Sequence, residues 1–329
     1  MKNKTVGLIG AGGIANAHLP AWLDLGFDVL VHSIADDAPR LVERHGGGRV
    51  ATTADELFES VCIIDICAPT QTHSSLGFAA LEHSIPTICE KPLARTLAAA
   101  ELLADGFAEK GVPLFPAHVV RYFPEYAALR DAVVAGAIGE PGVLRFTRQG
   151  QSPKNGWYLD SAQSGGVLLD LMIHDIDIAR WIAGDITRVF ARTRTHRGSE
   201  STQAVLTHTS GAVSQLTATW ATAPIEFRTQ FDVSGSRGTL RSDSAAKPTY
   251  THVGPPSAAD DILPAFDAAT SPYRAELADF VRSIDDGSDT RVTARDGVEA
   301  IRIAEAIARS AASERAIDLS HDHEEVSAA

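Results

Sequence analysis

Cysteine is scarce in this sequence: 329 residues include only Cys62, Cys67 and Cys89. Their odd number and their setting in apolar, strand-like runs argue against a disulfide framework and fit a reducing cytoplasm. Neither these thiols nor the 12 histidines fall into a spacing typical of zinc, so no metal site is expected. Long hydrophobic runs are missing as well, and nothing approaches the ~18 apolar residues of a membrane-spanning helix. The opening residues could be mistaken for a signal peptide, but glycines interrupt the apolar stretch at once, and Thr5-Ile9 reads better as a first strand. Basic residues are outnumbered, 29 Lys and Arg against 42 Asp and Glu, for a net charge of -13 with no basic block. A nucleic-acid partner is therefore not expected.

What is present is material for a core. Hydrophobic residues make up 44% and charged residues 22% of the chain, which suits two soluble domains of ordinary size. Through the first third, strand-like runs (Thr5-Ile9, Phe27-His32, Val61-Ile66, Thr87-Cys89, Val112-Leu114) alternate with helix-like stretches from Ile14, near Ala38-His45 and near Ser74-Glu82. That alternation predicts a doubly wound parallel sheet, an α/β Rossmann domain over residues 1–120. After Gly139 the pattern changes to Thr-, Val- and Phe-rich alternation such as Val213 to Trp220, with one helical stretch near Leu168-Ile182. An α+β domain with a large, mainly antiparallel sheet is predicted over residues 121–329. Its C-terminal helices, near Ala275-Arg282 and Val298-Ser310, are able to pack back on the first domain. Pro255 to Pro272 reads as a loop and His321 to Ala329 as a polar disordered tail.

Gly10-Ala11-Gly12-Gly13-Ile14-Ala15 fits the G-x-G-x-x-G/A pattern and lies between a strand and a helix, where the pattern must lie to bind a dinucleotide. Gly10 allows the tight turn, Gly12 the close approach of a pyrophosphate, and the helix N-terminus faces the phosphates with free N–H groups. The second strand ends in His32-Ser33 and lacks the acid that would bind the ribose of NAD. Ser33 and Arg40 favour the 2′-phosphate of NADP, whereas Asp36 and Asp37 oppose it unless they point away. The cofactor expected is NAD(P), with a lean towards NADP.

Two further stretches, Cys89-Glu90-Lys91-Pro92-Leu93-Ala94 and Gly165-Gly166-Val167-Leu168-Leu169-Asp170-Leu171-Met172-Ile173-His174, complete an ordered set of motifs. Together with the glycine turn, Arg121-Tyr122-Phe123-Pro124 and Gly136-Ala137-Ile138-Gly139, they make the chain resemble the Gfo/Idh/MocA oxidoreductases over nearly its whole length. The resemblance implies hydride transfer between a nicotinamide and a secondary alcohol or ketone of a polyol or sugar. It implies Lys91, Asp170 and His174 as the catalytic set. Asp170 and His174 are four residues apart and share a helix face, and Lys91 ends a strand where open α/β sheets bind ligands. An imidazole titrating near neutrality suits proton transfer to and from the reacting oxygen, which assigns the general acid/base to His174. Lys91 would polarise that oxygen, and Asp170 would orient a hydroxyl.

Thr70, His73 and Glu90 are expected beside the cofactor, together with Gly10, Gly12, Gly13, Ile14, Ser33 and Lys91. His118, Arg121 and Trp157 are expected beside the substrate, with packing as the competing reading. Met172 stands where many relatives have glycine. Two other functions stay open at this point: a dinucleotide-binding sensor without turnover, and a glycoside-cleaving enzyme that uses a tightly held cofactor in transient redox. The broad face of the second sheet needs a cover, which favours a homodimer or homotetramer.

Overall fold

The structure, a computed structural model, describes residues 4–35, 37–153, 156–246 and 271–319. Among these, two compact units meet at Phe123/Pro124 and at Val298/Glu299. The first unit is discontinuous in sequence, because residues 271–298 belong to it.

In the first unit the order is β1 (Thr5–Ile9), α1 (Ala15–Asp24), β2 (Asp28–His32), α2 (Ala38–His45), β3 (Arg49–Val50), α3 (Ala54–Ser60), β4 (Ile63–Ile66), α4 (His73–Glu82), β5 (Thr87–Glu90), α5 (Leu97–Lys110) and β6 (Leu114–Ala117). All neighbouring strands pair in parallel, in the order β3-β2-β1-β4-β5-β6. Strand order reverses between β1 and β4, and the crevice beyond their carboxyl ends is where doubly wound sheets take a dinucleotide. Strands β4 and β5 are buried along their whole length, as a sheet covered on both faces requires. Local chemistry sets the helix ends. Thr53 and Thr96 accept the amide hydrogens of Glu56 and Ala99 at the starts of α3 and α5. Gly111 closes α5 in the left-handed conformation.

The second unit runs α6 (Pro124–Val134), β7 (Pro141–Gln151), α7 (Gly156–Leu159), α8 (Ser161–Ser164), α9 (Ile173–Ala183), β8 (Ile186–His196), β9 (Ser199–His208), β10 (Val213–Ala221), β11 (Arg228–Gly235) and β12 (Thr239–Asp243). Its seven-stranded sheet has the order β12-β11-β7-β10-β9-β8-β13, where β13 is Ile317–Asp318. Pairing is antiparallel except between β7 and β10. One face carries Leu144, Phe146, Leu206, Leu216, Trp220 and Val233, all buried. On the same face Arg148 reaches Asp175 of α9 at 2.9 Å, which fixes α9 against β7. The opposite face leaves Phe190 and Val205 about 40% exposed.

The last two helices are α10 (Pro272–Asp286) and α11 (Ala294–Ser313). Tyr273, Leu277 and Phe280 of α10 join the core of the first unit, where Phe280 stacks on Phe115 with ring centres 4.7 Å apart. Of the segment read as a loop, Pro272 opens α10 and Ser271 caps it; the rest of that loop and the His321 to Ala329 tail lie outside the described residues.

Candidate active site

Gly10 follows β1 with a φ of 104°, and its amide donates to the His32 carbonyl at 2.8 Å. A Cβ at this position would run into the carbonyl oxygen of Cys67, so the backbone path itself demands glycine. Gly12 and Gly13 differ. Both are exposed, and a Cβ on either would meet nothing within 4 Å. No packing among the described residues requires glycine there, and the start of a helix after the first strand is where doubly wound folds take a pyrophosphate. Asn16 stiffens the turn by donating to the Gly12 carbonyl at 3.1 Å, while its own side-chain oxygen faces Arg44 and His45, each at 3.0 Å.

At the end of β2, Ser33 is half-buried and its Oγ accepts the Ala35 amide hydrogen at 3.4 Å, which leaves the hydroxyl hydrogen available. Asp37 turns its Oδ1 inward, buried and without a hydrogen-bond partner among the described residues. Asp36 lies outside the described residues.

Lys91 follows β5 directly, half-buried, and is joined to Pro92 by a cis peptide bond. Two neighbours expected beside the cofactor, Glu90 and His73, have their side chains buried among partners within the protein. Glu90 is 5% exposed; its Oε2 accepts the Lys91 amide hydrogen at 3.0 Å and its Oε1 lies 3.2 Å from His18 Nε2. His73 is buried with its ring between the carbonyls of Pro92 and Ala68, each at 2.8 Å, and burial lowers its pKa although both carbonyls favour the proton. Both side chains brace the backbone that carries Thr70 and Lys91. Thr70, in a short 3-10 turn after β4, is itself buried.

Arg121, expected against substrate with packing as the competing reading, has packing partners in this structure. It is 2% exposed, and its guanidinium binds the Arg291 carbonyl at 2.7 Å and the Asp296 carboxylate at 3.2 Å. Arg291 reciprocates onto the Arg121 carbonyl at 3.0 Å. This is the packing reading: Arg121 ties residues 271–298 to the turn after β6. His118 is fully enclosed and presents no surface. Trp157, in α7, is half-buried and stacks on Tyr158 at 3.8 Å.

Asp170 and His174 belong to the second unit. Leu168–Met172 forms a π-helical turn, closed by the Ile173 amide bonding to the Leu168 carbonyl, and runs straight into α9. A widened turn still keeps residues four apart on one face, and such turns recur at functional sites. From Val167 to Ala179, only Leu168, Asp170 and His174 escape full burial. Met172 is completely buried, so its bulk is absorbed by the core. Gly166 sits beneath the carboxylate of Glu200, which also bonds to the Val167 backbone; burial pushes the Glu200 pKa up. Glu200 therefore anchors the entry to the turn, a role that its place in a Ser/Thr-rich strand did not signal.

Two family models match this chain. One, described as an oxidoreductase family with an NAD-binding Rossmann fold, covers residues 4–118; the other, a GFO/IDH/MocA C-terminal domain, covers residues 126–241. Myo-inositol dehydrogenase Hyg17 of Streptomyces leeuwenhoekii is 30% identical over 94% of this chain and 98% of its own. D-apiose dehydrogenase of Rhizobium rhizogenes is 27% identical over 95% of this chain and 96% of its own. Among solved structures, a probable dehydrogenase from Thermotoga maritima superposes with a TM-score of 0.82 at 26% identity, covering 96% of this chain and 99% of that one. GenD2 from gentamicin A biosynthesis, solved with NAD, reaches 0.85 at 24% identity over 97% of each chain and adds likeness of fold alone. With matching models for both halves, the glycine turn, the Glu90-Lys91-Pro92 segment and the Asp170/His174 turn in family order, the chain belongs to the Gfo/Idh/MocA family of nicotinamide-dependent oxidoreductases.

Proposed function

We propose that this enzyme interconverts a secondary alcohol and a ketone on a polyol or cyclic sugar, with the first unit holding NAD(P) and the second carrying the proton-transfer residues. The observation that carries the reading is selective exposure: a tightly buried helix entry leaves Asp170 and His174 half-open on one face. The chemistry supplied by the nicotinamide, when bound, is acceptance or donation of a hydride. His174 removes the hydroxyl proton in oxidation and returns it in reduction. Lys91 donates a hydrogen bond to the same oxygen and stabilises the negative charge that develops there. Asp170 orients a neighbouring hydroxyl. The relatives' names, which include an inositol dehydrogenase, an apiose dehydrogenase and a 1,5-anhydro-D-fructose reductase, support a polyhydroxylated substrate. They lend nothing to a sensor or to a glycoside-cleaving enzyme.

Between the two cofactors we favour NADP. Ser33 has a hydroxyl hydrogen to donate, no acid ends β2, and Asp37 has one of its carboxylate oxygens buried. A second copy of the chain is the cover we propose for the sheet face that exposes Phe190 and Val205; light scattering should return a dimer or tetramer. The three cysteines are unbridged and no helix among the described residues is long and apolar enough to cross a membrane, which supports a cytoplasmic enzyme. The test of function is a screen of purified protein with NAD and NADP against inositols, aldoses, ketoses and anhydro-sugars, read as nicotinamide absorbance. Turnover on at least one polyol or sugar is expected, and failure across the panel with cofactor bound would sink the reading.

A further inference from the structure

Helix α1 buries a histidine at the centre of the first unit. His18 is fully enclosed, and each ring nitrogen faces a carboxylate: Nδ1 is 2.8 Å from Asp65 Oδ2, and Nε2 is 3.2 Å from Glu90 Oε1. Asp65 lies on β4, wholly buried in an otherwise apolar strand, and Glu90 ends β5 beside it. Trp22, one turn along α1 from His18, donates its indole hydrogen to the same Asp65 oxygen at 2.7 Å, and the Cys67 thiol approaches the other at 3.7 Å. The ring of Tyr273 on α10 completes the enclosure, 5.8 Å from the imidazole centre.

A neutral imidazole has one N–H and one lone pair, so one nitrogen would point a lone pair at a carboxylate oxygen in a dry interior. An imidazolium donates from both nitrogens and offsets one of the two buried charges. Burial is the largest single influence and would strip the proton, but the charges and hydrogen bonds of Asp65 and Cys67 together outweigh it, and the His18 pKa is raised well above its ordinary value. His18, Asp65 and Cys67 also have the proximity of metal ligands. Asp65 Oδ2 already accepts from Trp22 and His18, so proton sharing describes the cluster better than coordination does.

We propose that His18 is a positioning residue for Lys91: a doubly donating ring that ties Asp65 to Glu90, and through Glu90 Oε2 to the Lys91 amide. Helix α1, which begins at the glycine turn, is thereby locked to the segment that carries Lys91. The site for the pyrophosphate and the group that polarises the reacting oxygen then keep a fixed separation without contact between them. Misplacement of a reacting group by even ~1 Å costs up to about 100-fold in rate. The proposal rests on the reading of Lys91 as the polarising residue, and its test separates the two.

Nitrogen-15 NMR of the histidine-labelled wild-type enzyme should show both His18 nitrogens protonated at about pH 8, where an unperturbed histidine is neutral. A neutral His18 ring at that pH overturns the bridge. In single-turnover assays, His18→Gln and Glu90→Gln should each lower hydride transfer about 10- to 100-fold, with cofactor Kd, measured by binding, and substrate KM changed less than about 3-fold. In a Lys91→Ala background the same substitutions should cost nothing further, because their effect passes through Lys91. Losses that multiply with that of Lys91→Ala overturn the proposal. If His18→Gln fails to fold, Glu90→Gln carries the test, since it keeps the shape of Glu90 and removes only the charge. A Lys91→Ala enzyme with the wild-type rate would defeat the catalytic reading of Lys91, and with it the positioning role, while the NMR result on the ring would still stand.

Discussion

His18 and His174 both lie near the start of a helix, both surrounded by apolar sequence, yet the fold uses them differently. His18 is sealed from solvent with a carboxylate at each nitrogen, and its proton is held by Asp65 against burial. His174 is half-open at the junction of a π-turn and α9, with Asp170 half-open on the same face. A histidine caught between two acids has no reason to release its proton near neutrality, which suits a brace. One left at the surface of a packed helix can exchange protons with a bound molecule. The glycines divide the same way: Gly10 is dictated by its own backbone, whereas Gly12 has open space about it, which the proposed function gives to the cofactor.

If that contrast holds, the largest effect should come from the open histidine. His174→Ala is expected to slow hydride transfer by about 10²- to 10⁴-fold in single-turnover assays, with cofactor affinity and melting temperature little changed. A near wild-type rate with an unmoved pH profile would remove His174 from the mechanism. Next come the glycines. Gly10→Ala should lower stability by about 1–3 kcal/mol in denaturant titration, because it forces a side chain onto a φ of 104° against the Cys67 carbonyl. Gly12→Val should fold normally and raise cofactor Kd about 10-fold or more, as the branched side chain occupies the space for the pyrophosphate. Equal losses of stability in the two variants would erase the distinction.

A smaller effect tests Arg121 as a brace. Burial alone would raise the Asp296 pKa, but the Arg121 charge and the Thr293 hydrogen bonds hold it down to about 2. A carboxylate depressed in the folded state contributes stability that is full above its unfolded pKa and lost as pH falls through the folded one. Wild-type stability should therefore decline between about pH 4 and pH 2, and Asp296→Asn should remove roughly 2 kcal/mol near neutrality and flatten that part of the acid limb. An unchanged profile would free Arg121 for another role. The smallest shift is expected at Ser33. Ser33→Asp supplies a ribose acceptor and repels a 2′-phosphate, moving the ratio of kcat/KM towards NAD by about 1–2 kcal/mol; a wild type that already prefers NAD strongly would overturn the lean towards NADP.

Periodicity made the parallel sheet legible, since β1, β2, β4 and β5 are short apolar runs broken by turn residues. The glycine turn was legible because only one backbone path places a G-x-G-x-x-A between strand and helix. Strand β3 was not, because two residues after Gly46-Gly47-Gly48 look like more loop. Helix α3 carried a readable cap in Thr53 and Glu56 that strand-and-helix periodicity passed over. Adjacency in sequence did not show the packing of Glu90, His73 and Arg121: each stands beside a motif and is buried, and partners as distant in the chain as His18, Pro92 and Asp296 are visible only in the fold. His18 and Asp65 did leave a trace, a lone ionisable residue in each of two otherwise apolar elements. Neither means much alone; the pairing becomes visible when α1 lies across β4.

The return of residues 271–298 to the first unit also bears on how the protein is made. Tyr273, Leu277, Phe280 and Val292 sit in the same apolar cluster as Val6, Leu8 and Trp22. A nascent chain that has just completed β6 holds every strand of the first sheet but lacks these four side chains. The cofactor unit therefore emerges from the ribosome with apolar surface open, and stays so while strands β7 to β12 of the second sheet are synthesised. A ribosome stalled after β12 should display a protease-sensitive, chaperone-binding first unit, and extending the chain past Val292 should quiet both.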